Sequence, residues 1–219
     1  VKFCARMLVA IKSLINADRI TAFQWRLSCK PILQRVFDGD YCDEKLIADL
    51  VQLIAPVDRD TIMKKYSDYP TLVHYAVCRR SKDLALALLQ VNGDTAKHVD
   101  ESNGQYLLHS VLQRGVARYD TLVMLIELNP DALTTQDKQG NLPIHIAAAN
   151  KSTPAIYCTV MLKMNNAKDT AKVENGSKKI PLRVAYEAGA DDAVIKAITA
   201  AWPDAQEFMF NKKRGSAVS

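Results

Sequence analysis

The stretch Asp137–Ala147, which reads DKQGNLPIHIA, decides the fold of this 219-residue chain. Its glycine indicates a turn. Its proline indicates the start of a helix just afterwards, because proline is tolerated at the first position of a helix. Similar strings recur as TLVHYA at 71–76, YLLHSV at 106–111 and IPLRVA at 180–185. Their fourth positions lie 35, 36 and 38 residues apart, at His74, His109, His145 and Arg183. A period of this length indicates a repeat protein.

Glycines punctuate the repeats at two places. Gly104 and Gly140 lie five residues before their histidines, and Gly176 is aligned with them by allowing two inserted residues. Gly115 and Gly189 lie six residues after the fourth position in the second and fourth copies, where they predict the end of a helix.

Each copy also contains a second apolar run in which apolar residues recur at helical spacing. The runs occupy 84–90, 121–128, 156–164 and 193–200. A turn string closes each of them, at 91–94, 129–132, 165–169 and 202–205. Each unit is therefore predicted to be a hairpin, a short first helix, a stop and a second helix.

These units resemble the ankyrin repeat, whose signature is T-P-L-H-x-A after a D-x-x-G turn. The best match is Asp137–Gly140 followed by Leu142–Ala147, and Glu101–Gly104 with Leu-Leu-His109 comes next. The resemblance covers roughly residues 66–210. It implies an all-α fold, an α-solenoid of about five helix-turn-helix repeats with short hairpin fingers and an N-terminal capping helix. Armadillo and tetratricopeptide repeats are disfavoured because they lack a hairpin glycine ahead of a proline-bearing first helix.

The ends of the chain are predicted to differ from its middle. Residues 1–30 form a basic capping region and 31–65 a degenerate first repeat, because terminal repeats must present one face to water. The remaining repeats occupy 66–219, as 66–100, 101–136, 137–173, 174–210 and the start of a further repeat at 211–219. Residues 1–37 carry seven basic side chains and one acidic one, against a net charge of +5 for the whole chain. We interpret them as a solvated helix face, with membrane-surface contact as the less favoured alternative.

The composition, 48% apolar and 24% charged, is that of a globular protein. No uncharged apolar run approaches the roughly 18 residues of a membrane-spanning helix. The five cysteines include no C-x-x-C pair, which favours a reducing compartment. We expect an intracellular location, cytoplasmic or nuclear, with organellar import left open.

We predict no catalytic residue, metal site or cofactor, and no nucleic-acid partner. Repeats stack roughly 8–10 Å apart, whereas zinc ligands lie about 2.0–2.3 Å from the metal, so one histidine per repeat cannot converge on an ion. No nucleophile or phosphate-loop motif is present. The resemblance implies instead that the histidines hydrogen-bond backbone and tie one hairpin to the next. The residues assigned to this structural repeat motif are His74, Gly104, His109, Gly115, Gly140, Pro143, His145, Gly176, Pro181 and Gly189.

The resemblance also implies a binding face, formed by the exposed hairpin tips and the far ends of the first helices on the concave side. Mapped onto this chain, it comprises Arg79, Ser102, Asn103, Gln105, Gln113, Arg114, Lys138, Gln139, Asn141, Asn150, Lys178, Lys179 and Glu187. This polar, mildly basic mixture predicts a protein partner with an acidic or mixed-polarity surface. The chain is thus predicted to be a non-enzymatic scaffold or adaptor. The alternatives are a structural subunit of a larger assembly and the targeting domain of an enzyme whose catalytic part lies outside this chain.

Overall fold

The structure of the protein is a computed structural model that describes residues 72–78, 82–91, 93–115 and 118–209. The predicted capping region, the degenerate first repeat and the start of a further repeat at 211–219 lie outside these residues. The chain divides into two compact units, Val1–Thr95 and Ala96–Ser219. Within the described ranges, every helix is too short or too polar to cross a lipid bilayer.

In the first unit, helix α1 (Leu72–Cys78) packs against helix α2 (Lys82–Val91). Apolar side chains of both helices, together with the imidazole of His74, are buried. A short 3₁₀ helix, Gly93–Lys97, follows α2.

The second unit begins with a hairpin in which β1 (Val99–Asp100) pairs antiparallel with β2 (Gln105–Tyr106). Three helix pairs follow, namely α3 (Leu107–Arg114) and α4 (Tyr119–Leu128), α5 (Pro143–Ala149) and α6 (Ala155–Lys163), and α7 (Pro181–Ala188) and α8 (Asp192–Ala201). Further 3₁₀ helices occupy Pro130–Leu133 and Met164–Lys172, and a short helix occupies 205–209. The predicted second apolar runs are therefore helices. The strings predicted to be turns after α2, α4 and α6 lie mostly within 3₁₀ helices.

The helices of the second unit form two layers. First helices pack on first helices, α3 on α5 and α5 on α7, while second helices pack on second helices, α4 on α6 and α6 on α8. Ala147 in α5 and Ala185 in α7 are fully buried, which allows neighbouring first helices to approach closely. Each repeat thus buries its apolar residues against the next, which is the arrangement of an all-α solenoid.

The first helices begin alike but end in two ways. Pro143 and Pro181 are the first residues of α5 and α7, as predicted. Gly115 and Gly189 follow α3 and α7 in the left-handed conformation, with φ of 62° and 64°. The third copy has no glycine there, and α5 ends one position earlier in register, before an Asn150 with extended backbone.

The register of the fourth hairpin differs from the predicted one. Gly104, Gly140 and Lys178 have positive φ, of 71°, 76° and 59°, and each lies five residues before the fourth position of its copy. The alignment of Gly176 with Gly104 and Gly140 is therefore wrong, because Lys178 occupies that place. Gly176 corresponds to Lys138 instead, and it is glycine for a steric reason: a Cβ there would overlap the carbonyl oxygen of Gln139.

Candidate partner-binding site

An Asp or Asn side chain closes the turn at the tip of each hairpin in the third and fourth copies. Asp137 Oδ1 accepts hydrogen bonds from the backbone N–H groups of Gln139 (2.9 Å) and Asn141 (2.8 Å). Asn175 Oδ1 accepts in the same way from Ser177 (3.0 Å) and Lys179 (3.1 Å). These side chains add acceptors to the backbone bonds from Gly140 to Asp137 and from Lys178 to Asn175, which is why Asp and Asn suit the position.

The second copy uses a different residue for this turn. Asp100 Oδ1 accepts hydrogen bonds from the backbone N–H of Ser102 (3.0 Å) and from its hydroxyl (2.7 Å). The residue that the signature aligns with Asp137 is Glu101, but its carboxylate does not make these bonds. The loop is one residue longer, since Asp100 pairs with Gln105 across the hairpin.

Main-chain hydrogen bonds connect each hairpin tip to the next. The N–H of Lys138 donates to the carbonyl of Asn103 (2.9 Å), and the N–H of Gly176 donates to the carbonyl of Gln139 (3.0 Å). Asn175 Nδ2 adds a side-chain bond to Asn141 Oδ1 (2.9 Å). The tips are therefore held at a fixed spacing.

Two buried histidines tie the first helices α3 and α5 to the backbone of the next hairpin. His109 Nε2 lies 3.1 Å from the carbonyl oxygen of Thr135, and His145 Nε2 lies 3.1 Å from that of Lys179. The N–H of Leu142 donates to His145 Nδ1 (3.2 Å), so Nε2 carries the proton of the neutral ring. Burial lowers the pKa of both imidazoles. They are neutral structural groups at physiological pH.

Asn150 joins the far ends of two first helices. Its Nδ2 donates to the carbonyls of Leu112 (2.8 Å) and Gln113 (2.9 Å) at the end of α3, and its Oδ1 accepts from the N–H of Ser152 (3.0 Å). Carbonyls in the last turn of a helix have no intrahelical partner. Asn150 therefore supplies α3 with a cap from the following repeat.

A recess of about 410 Å³ lies between the hairpin tips and these helix ends. Its walls come from the second, third and fourth copies: Gln105, Gln113, Asp137, Gln139, Asn141, His145, Ile146, Ala149, Asn150, Lys151 and Val184. Five residues of the predicted binding face are brought together here, namely Gln105, Gln113, Gln139, Asn141 and Asn150.

The other residues of the predicted face are placed elsewhere. Arg79 lies outside the described residues. Those that do not line the recess are Ser102, Asn103, Arg114, Lys138, Lys178, Lys179 and Glu187. Glu187 forms ion pairs with two residues of its own copy, Lys179 (2.5 Å) and Arg183 (3.0 Å). Hydrogen bonds from these two side chains lower the pKa of the Glu187 carboxyl.

The expectation that Gln105 is an exposed tip residue is wrong. Gln105 is only 6% exposed, because it lies in β2 and its Nε2 donates to Asp137 Oδ2 (3.1 Å) in the next hairpin. It contributes to the floor of the recess and not to its rim.

Six other residues line the recess. Of these, His145 was assigned to the repeat motif, Ala149 belongs to the predicted far end of a first helix, and four were missed from the sequence. Ile146 and Val184 both follow the fourth position of the motif, so the period itself could have identified them. Lys151 stands where the second and fourth copies have glycine. Asp137 was assigned only to the turn.

The described residues contain no group of three or more His, Cys, Asp and Glu side chains placed to hold a metal ion. Cys158, in α6, is fully buried, and burial raises its thiol pKa to about 12. Because the thiolate is the nucleophilic form, this thiol is inert at neutral pH.

The helix pairs, hairpins and inter-repeat hydrogen bonds define a protein built of divergent ankyrin repeats. No protein-family model matches the sequence, and no curated protein matches it either. One similar solved structure is a chain from the complex of the Bd0816 predatory endopeptidase from Bdellovibrio bacteriovorus with immunity protein Bd3460. The two folds match with a TM-score of 0.59 and 17% sequence identity, and the match covers 86% of this chain and 90% of that chain. Another is the ankyrin repeat domain of Bcl-3, described as a unique member of the IkappaB family, with a TM-score of 0.54 at 13% identity, over 89% of this chain and 92% of that chain. At such identities the likeness shows the fold.

Proposed function

We propose that this chain is a non-enzymatic protein-interaction module that binds a partner protein at the recess between its hairpin tips and first-helix ends. The observation that carries the proposal is the recess itself, which is about 410 Å³ in volume and built by three successive copies. Solenoid repeats use such extended surfaces for recognition.

The rigidity of the site supports this role. Main-chain bonds fix the tips relative to one another, and Asn150 fixes the helix ends. A surface that is already ordered loses little conformational entropy when a partner binds, so more of the contact energy appears as affinity.

The similar structures agree with such a role. One of them was determined as a complex of two proteins, an endopeptidase and an immunity protein. By analogy with that complex, the function proposed for this chain is that of a scaffold or adaptor that holds a protein partner. An intracellular location, cytoplasmic or nuclear, belongs to the proposal because Cys158 is a free buried thiol.

The partner is proposed to be acidic or of mixed polarity. Lys138 and Lys178 are exposed at the tips, and Lys151 is exposed at the edge of the recess. The exposed Ser102 and Arg114 extend the proposed face.

A steric variant tests the site. Ala149 is the exposed last residue of α5 and lines the recess, so Ala149→Trp fills the recess without disturbing the core. Ala193→Trp is the matched control, since Ala193 is exposed on α8 and does not line it. We expect chemical cross-linking and mass spectrometry in the native cell extract to recover partners with wild type and Ala193→Trp, and to lose them with Ala149→Trp. Equal recovery by both variants would refute the assignment of the site.

A further inference from the structure

The geometry points to an acidic side chain of the partner as the group that enters the recess, with its carboxylate beside Lys151. This inference rests on the proposed function and names the chemistry of its partner. It depends on which of the polar groups lining the recess are already occupied by bonds within the fold.

The acidic group of the recess is occupied. Asp137 is only 6% exposed, and its carboxylate accepts three hydrogen bonds, from the N–H groups of Gln139 and Asn141 and from Gln105 Nε2. Little of its hydrogen-bonding capacity remains for a cation of the partner. The oxygens of Asp137 are therefore committed to bonds within the fold, and a partner has little access to them.

Two of the amides are occupied as well. Asn150 uses its Nδ2 on two carbonyls of α3 and its Oδ1 on Ser152. Asn141 Oδ1 accepts from Asn175, while its Nδ2 donates to Gln139 Oε1 (3.3 Å). These side chains shape the recess and hold its walls.

The open groups are donors, namely the side chains of Lys151 and Gln113 at the helix-end side and Gln139 Nε2 at the tip side. Within the described residues, the side chains of Lys151 and Gln113 make no hydrogen bond or ion pair, and both are exposed. The Lys151 ammonium lies near Gly189, since a Cβ added to Gly189 would be 3.6 Å from Nζ. Lys151 thus reaches from the end of α5 to the end of α7, and its ammonium is the cationic group among the side chains that line the recess.

The remaining wall is apolar. Ile146, Ala149 and Val184 contribute side chains to the same recess. A glutamate fits this combination, because its methylene groups can cover the apolar wall while its carboxylate pairs with the Lys151 ammonium. Charge-assisted bonds of that kind are about twice as strong as neutral ones.

Selection of peptides tests the chemistry directly. The probe is a phage-displayed library of random linear peptides of about 12 residues, a length sufficient for extended-segment recognition. We expect the full chain to enrich peptides that share Glu or Asp at one position. Lys151→Glu should weaken binding of a selected synthetic peptide by on the order of 10- to 100-fold, because a like charge then faces the carboxylate.

Matched controls separate a local charge effect from a general one. Lys163→Glu makes the same charge change at the exposed end of α6, away from the recess, and should leave the affinity unchanged. Replacing the acid of the peptide by its amide should weaken binding to wild type but strengthen binding to the Lys151→Glu variant, because the amide removes the like-charge repulsion, and this opposite response is the coupling that a double-mutant cycle detects for a direct pair. Circular dichroism spectra matching wild type establish that each variant is folded.

The outcomes distinguish the inference from the function on which it rests. Suppose that Ala149→Trp blocks the selected peptides, but the peptides share no acid or bind Lys151→Glu as well as wild type. That result overturns the acidic-side-chain assignment and leaves the recess as a binding site. Peptides that bind Ala149→Trp as well as wild type overturn both. A library that yields no binding peptide overturns the inference.

Discussion

Two glycine-to-alanine substitutions measure how closely the hairpins approach each other. Gly140 and Gly189 have similar left-handed backbones, with φ of 76° and 64°, so alanine at either costs about 1–2 kcal/mol of conformational strain. Their surroundings differ. A Cβ at Gly140 would overlap the backbone nitrogen of Gly176, whereas at Gly189 its nearest neighbour is Lys151 Nζ at 3.6 Å, an ordinary contact.

The difference in the space around the two glycines determines how much each substitution lowers the free energy of unfolding. Gly140→Ala must displace the next hairpin, losing the 3.0 Å bond from Gly176 to Gln139, which is worth about 1 kcal/mol. Relieving the overlap costs a further 1–3 kcal/mol or so, as for other overpacked sites. We therefore expect Gly140→Ala to lower the free energy of unfolding by about 4 kcal/mol and Gly189→Ala by about 1–2 kcal/mol.

Urea denaturation followed by far-ultraviolet circular dichroism gives both values. The loss of chain entropy in the unfolded state is the same for the two substitutions and cancels in the comparison. Equal destabilisation, or a larger loss for Gly189→Ala, would show that the hairpins do not meet at Gly140 and Gly176 in solution.

Four further substitutions or conditions test the packing and the buried groups. Ala147→Leu should lower stability by about 1–3 kcal/mol because it overpacks a fully buried site, and an unchanged melting temperature would place Ala147 on the surface. Asn150→Ala removes two bonds to the end of α3 and should cost about 1–2 kcal/mol in a urea titration, whereas no loss would mean that water caps those carbonyls equally well. Acid should destabilise the fold. Burial lowers the pKa of His109 and His145 in the folded state, and the unfolded chain therefore binds protons first as the pH falls below 6.5. Each histidine then contributes a loss of up to about 1.4 kcal/mol per pH unit until its own lowered pKa is passed, and stability that is flat between about pH 7.5 and pH 5.5 would contradict this. Cys158 should resist iodoacetamide in the folded protein at about pH 8 and react on unfolding, as peptide mass spectrometry can show, because burial raises its pKa to about 12.

The helices could be predicted from the sequence because their signals are local and repeated. Pro143 and Pro181 identify helix starts through a fixed backbone angle and a dispensable N–H. Gly115 and Gly189 identify helix ends through the left-handed conformation. Recurrence of these signals at one period also placed the second helices close to their observed bounds.

The fourth hairpin was misaligned because glycine serves two physical purposes. At Gly140 it permits a positive φ, whereas at Gly176 it permits contact with a neighbouring carbonyl, and the sequence does not distinguish the two. Lys178 adopts positive φ without being glycine, so a search for glycine overlooks it.

The candidate site was predictable only in part, because its members are paired across repeats. The burial of Gln105 depends on a bond to Asp137, 32 residues further on, and the capping role of Asn150 depends on carbonyls 37 and 38 residues earlier. Such pairings have no local signature. Lys151 was missed for a similar reason, since a lysine in place of an expected glycine gives no indication of the surface it lines.

The bonds between hairpin tips have a consequence for how this protein can change. They are made by peptide groups, from Lys138 to Asn103 and from Gly176 to Gln139, and every amino acid except proline carries the same N–H and C=O. Side chains at Ser102, Lys138 and Ser177 can therefore be exchanged while these links persist. The loops form a framework on which new selectivities can be engineered by substitution of surface residues alone, with little need to redesign the scaffold beneath.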